Sequence, residues 1–128
     1  MNKYYEYLVG FIAWLGVYFN PTFSMILIVG FFIMSDTILG ILAARKLGTL
    51  DHKVSRKFRP ALDKFIGYGI VVLVAHVIET RFLPDFPALK VISGYLMFIE
   101  LKSMDENFKV IAGISIFSSI IKKIKPAK

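Results

Sequence analysis

The run from Thr22 to Ala44 constrains this chain most: it is twenty-three residues long, and Asp36 is its single ionisable side chain. Wound as a helix it is roughly 34 Å long, enough for a hydrocarbon core about 30 Å thick. Elsewhere the chain is also too apolar for a soluble domain of its size. Of its 128 residues 56% are hydrophobic, and the mean hydropathy is +0.65. A single soluble domain of this length cannot bury that much apolar surface. Several Tyr stand near the ends of apolar runs, where amphipathic rings suit the headgroup level. The chain therefore reads as an all-α integral membrane protein in contact with the lipid bilayer.

The expected organisation is a single membrane domain over 1–128. It has about four short transmembrane helices, near 4–19, 22–44, 65–83 and 88–104, a basic, partly helical cytoplasmic loop over 45–64, and a C-terminal interfacial helix with a Lys tail over 108–128. The first helix would be roughly 24 Å long and would cross only with local thinning of the bilayer. No small-x-small cleavage pattern follows it, so it is expected to stay as an uncleaved helix. Asn20-Pro21 predicts a break and a restart, with Asn20 as cap and Pro21 in the first turn, giving a tight helical hairpin. Pro84-Asp85-Phe86-Pro87 predicts a short turn. Lys90 and Glu100 stand near the two ends of the fourth span. Val110 to Ile121 is too short for an ordinary crossing and suits the membrane surface.

The formal net charge is +7, but the cations flank apolar segments and form no soluble basic face, which argues against nucleic acid. Between residues 45 and 64 stand Arg45, Lys46, Lys53, Arg56, Lys57, Arg59 and Lys64. The tail carries Lys122, Lys123, Lys125 and Lys128, whereas the turns at 20–22 and 83–87 carry no Lys or Arg. The positive-inside rule then places both termini and the basic loop in the cytoplasm. Arg45, Lys46, Lys53, Arg56, Lys57, Arg59, Lys122, Lys123 and Lys125 are candidate anionic-lipid contacts. A docking site for a soluble partner is the alternative for the loop. Cys is absent, which removes disulfides and Cys-based metal sites.

An acidic group inside a membrane span is costly and faces other helices or water. Asp36, Gly40 and Ala44 follow at four-residue intervals on one helical face, where small residues let a second backbone approach. That face is expected to be an interface, within the protomer or between protomers. Alternatively Asp36 pairs with a cation such as Arg45 or Lys46 and holds the fold together. Glu100, Ser103 and Asn107 make a second polar stripe, one that could line water or bind a neighbouring helix. His76 and Glu79, three apart, could form a proton relay or a metal pair, but only two ligands are in sight and a polar helix end with Glu79 near Arg81 is the favoured reading. No nucleophile with its base, phosphate-cradling loop or complete metal set is visible, so neither catalysis nor a cofactor is expected.

Two stretches carry a family resemblance. Asp36-Thr37-Ile38-Leu39-Gly40, followed by a basic segment with Lys46, Ser55 and Lys64, resembles the D-x-x-T-G helix end of the phage holin family that includes clostridial toxin-secretion holins. Leu39 stands at the Thr position. Glu100-Leu101-Lys102-Ser103-Met104-Asp105-Glu106-Asn107 is similar to that family's E-x-x-S-I-x-E-N signature, with Met for Ile. The motif positions carried over are Asp36, Gly40, Glu100, Ser103, Glu106 and Asn107. The resemblance covers roughly 31–113. It implies a homo-oligomer in the bacterial host's inner membrane that opens lesions during host cell lysis, acting with an endolysin or releasing another protein. A small proton-coupled transporter and an antiholin or regulatory subunit are the alternatives from other classes.

Overall fold

The computed structural model describes residues 2–48 and 55–124, with side chains from Phe58 onward in the second stretch. Among the described residues five helices follow one another: α1 (Lys3–Tyr18), α2 (Asn20–Leu47), α3 (Ser55–Arg81), α4 (Ala88–Ala112) and α5 (Ile116–Ile124). No strand occurs among the described residues. Helix α2 packs against both α3 and α4, and α3 packs against α4, so these three form the bundle. Its core has two centres. Val29, Ile33 and Ala61 make one, with Tyr68 and Met97 against it; Val72, Leu89 and Leu96 make the other, with Met25, Ile26 and Ile92 against it.

Two of the helices, over Asn20–Leu47 and Phe58–Arg81, are long and apolar enough to cross a membrane, with mean hydropathies of 2.3 and 1.8. Only 22% of each apolar window is buried inside the chain, so most of that surface faces outward and needs an apolar solvent. In α4 the apolar run is broken by Lys90, Glu100 and Lys102.

Four expected boundaries are corrected. The basic stretch over 45–64, expected to be partly helical, is taken up largely by the neighbouring helices: α2 runs on to Leu47, where Gly48 at φ 71° closes it, and α3 begins at Ser55. Charge lowers hydropathy without lowering helix propensity, since Lys and Arg are good helix formers. Pro60 lies inside α3, near its start, where only the carbonyl four residues earlier loses its partner. Helix α4 extends beyond 104 to Ala112 and ends at Gly113, whose φ of 75° closes the helix with an N–H bond to the Lys109 carbonyl of 2.8 Å. The C-terminal helix consequently starts at Ile116, not at 108–110, and is roughly 14 Å long, far short of a crossing.

The tight hairpin of the first two helices is also corrected. Phe19 alone separates α1 from α2, and Asn20 makes no side-chain cap. Thr22 supplies the polar contact at this joint, donating to the Phe19 carbonyl at 2.6 Å. Helix α1 packs little along α2 and has no buried residue. It meets the bundle at its last turn, where Tyr18 OH lies 2.6 Å from Thr80 Oγ1 and the Tyr18 carbonyl lies 2.8 Å from His76 Nε2.

Candidate functional site

The three bundle helices bring their polar residues to one place. From α2, Asp36 is nearly buried; from α4, Glu100 is fully buried. Between them reaches Lys64 of α3, with Nζ 3.5 Å from Asp36 Oδ2 and 3.4 Å from the Glu100 carboxylate. Tyr68, one turn further along α3, donates its hydroxyl to Glu100 Oε1 at 2.9 Å. Ser103 Oγ donates to Asp36 Oδ2 at 2.9 Å, and Asn107 Nδ2 donates to Asp36 Oδ1 at 3.1 Å. Asp36 is thus held on both oxygens by α4 and from the side by α3.

The spacing explains the convergence. Glu100, Ser103 and Asn107 lie along the α4 face turned to α2, and Lys64 and Tyr68 lie four apart on the α3 face turned to both. Gly40 completes the α2 side: a Cβ placed there would stand 3.6 Å from Asn107 Nδ2, an ordinary contact. Ala44, two turns beyond Asp36, is buried. Two carboxylates facing one ammonium leave the site an acid in excess of its base, and three neutral donors satisfy the remaining oxygen lone pairs. This is an arrangement for holding three helices in register by charge-assisted hydrogen bonds.

The cation beside Asp36 is therefore Lys64, and the expected partners Arg45 and Lys46 do not reach it. Arg45 is exposed, and Lys46 turns its ammonium to the Ile111 carbonyl in the last turn of α4. Glu106 faces away from the cluster and is exposed. Among the candidate lipid contacts, Arg45, Lys46, Arg59, Lys122 and Lys123 are exposed, while Lys53, Lys125 and the side chains of Arg56 and Lys57 lie outside the described residues. His76 and Glu79 part company: His76 meets the Tyr18 carbonyl, and Glu79 accepts the Leu89 N–H at 3.4 Å at the start of α4. No group of three His, Cys, Asp or Glu suited to a metal occurs among the described residues.

Sequence reasoning missed Tyr68 as a member of the site and Asp105 as an anchor. Asp105 accepts from Ser115 Oγ at 2.7 Å, from the Ile116 N–H at 2.6 Å and from the Phe117 N–H at 3.3 Å. It caps α5 from a neighbouring helix. Its carboxyl is held below the usual range, chiefly by the Ser115 hydroxyl, with the two amides and Lys109 adding to it against the opposing effect of desolvation. The signal for it was the short polar Gly113-Ile114-Ser115 link, which leaves α5 needing an acceptor at its start.

An all-helical bundle with two helices of membrane length and apolarity, joined through a buried ionic seam, is consistent with a membrane protein. The bacteriophage holin family model matches residues 13–128, and the chain belongs to that family. No curated protein and no solved structure matches it. Proteins of that family are of a membrane-permeabilising, non-enzymatic kind.

Proposed function

We propose that this protein is a holin that oligomerises in the bacterial cytoplasmic membrane and forms lesions through which an endolysin or another protein leaves during host lysis. The observation that carries the reading is the seam of Asp36, Lys64, Tyr68, Glu100, Ser103 and Asn107, closed on itself between otherwise apolar helices. In the closed protomer these groups satisfy one another. In an oligomer the same groups could instead face water at a lesion's edge, and the exchange of partners would set when lesions open.

In this reading α1 to α4 cross the bilayer, with both termini and the α2–α3 link in the cytoplasm and the 82–87 turn outside. Helix α5 lies on the inner surface with Lys122 and Lys123 toward anionic headgroups. Asp36→Leu, expressed at equal membrane abundance, is expected to shift the onset of leakage of a cytosolic enzyme. Unchanged timing would remove Asp36 from the mechanism.

A further inference from the structure

Helices α2 and α3 leave a lateral groove of about 640 Å³ on the face away from α4. Leu27, Gly30 and Met34 line it from α2, and Phe58, Leu62 and Phe65 line it from α3. Gly30 leaves room for the Phe65 ring, since a Cβ there would stand 2.8 Å from it. The groove is apolar along its length and has a single charged lining residue, Arg59. Arg59 is exposed, and the ion pairs among the described residues belong to Lys64, so among the described residues no carboxylate pairs with this guanidinium.

We infer that this groove seats one acyl chain of an anionic glycerophospholipid, whose phosphate is held by Arg59. The inference rests on the membrane reading of α2 and α3. Three observations select a lipid as occupant. The volume falls in the range of small-ligand sites, roughly 300–1,000 Å³. The surroundings are apolar rather than a polar rim of the kind that borders protein interfaces: Leu27 and Phe31 are 71% and 70% exposed, Leu62 and Ile66 59% and 54%. Arg59 also stands more than a turn nearer the α3 start than Lys64, at the end where the chain's cations gather, and a guanidinium suits a phosphate there with two parallel hydrogen bonds. The charge and the apolar slot are then matched to the two ends of one molecule.

The test uses the full chain in vesicles of equal phosphatidylglycerol and phosphatidylcholine, with one or the other lipid brominated on its acyl chains. The protein has one Trp, Trp14, so Trp14→Phe with Phe58→Trp places a single fluorophore at the groove. Brominated phosphatidylglycerol is expected to compete for this site about fivefold better than phosphatidylcholine, the preference of one cation near anionic lipid. Arg59→Gln should bring the ratio to parity, and Met34→Phe, which narrows the groove, should lower quenching by both lipids while Arg59 remains. Leu62→Trp in the same background is the second reporter and should give the same ranking.

Equal quenching by the two lipids, or a preference that survives Arg59→Gln, overturns the proposal. Weak quenching at 58 by both lipids beside strong quenching of native Trp14 means that protein, such as a second copy, covers the groove, and also overturns it. Absence of quenching at Trp14 as well contradicts the membrane reading itself.

Discussion

Replacing Lys64 by Met is the sharpest perturbation of the seam, because one ammonium serves two carboxylates. At 3.5 Å from Asp36 and 3.4 Å from Glu100, each attraction amounts to about 5 kcal/mol at an effective dielectric of about 20, before desolvation and carboxylate repulsion are subtracted. Breaking a fully buried pair costs about 3–5 kcal/mol, and the 40% exposure of the Lys64 side chain moves this site below that range, to about 2–3 kcal/mol. The assay is reversible unfolding in mixed micelles, followed by circular dichroism. Lys64→Met should lower the unfolding free energy by that amount. Glu100→Gln added to it should restore at least about 1 kcal/mol, because the stranded charge is removed while Tyr68 keeps an acceptor. A loss under about 0.5 kcal/mol with strictly additive effects would refute the charge-sharing argument.

Ser103→Ala and Asn107→Leu each remove a neutral donor from Asp36, and each should cost about 1.5–3 kcal/mol in the same assay, as bonds to a charged group do. Asp105 holds α5 through its ionised form, and its carboxyl titrates below the unfolded value; docking of α5 should therefore be complete at neutral pH and weaken as pH falls through the folded-state value. Exchange protection of the Ile116 amide reports this, and Asp105→Asn should remove its acid dependence. Single Cys residues at 2, 50, 86 and 127 meet no native thiol; impermeant labelling from outside should reach position 86 and spare the other three.

Much of the site was legible because helical spacing is strict. Asp36 with Gly40, and Glu100 with Ser103 and Asn107, were placed on faces by their three- and four-residue steps, and those faces meet. Lys64 was harder to place as the partner of Asp36. It falls in a stretch whose charge breaks the hydropathy pattern, so the sequence shows some helix there but not its start or its face, and Arg45 and Lys46 stand closer to Asp36 along the chain. Tyr68 gave no signal of its own, since an aromatic residue in an apolar span is ordinary; its meaning depends on Lys64 one turn before it. The α1–α2 joint was misread for a different reason. Asn-Pro announces a restart but not how α1 packs, and α1 meets the bundle at its last turn, where Tyr18 finds His76 and Thr80.

The central claim, that this chain opens a protein-permeable lesion, is tested most directly by inducible expression in a bacterial host with and without a cytoplasmic endolysin that lacks its own export signal. Culture density and release of a cytosolic enzyme are followed together. The account predicts a delay, then abrupt lysis that requires the endolysin. Continued normal growth, with membrane insertion verified and endolysin present, would contradict it.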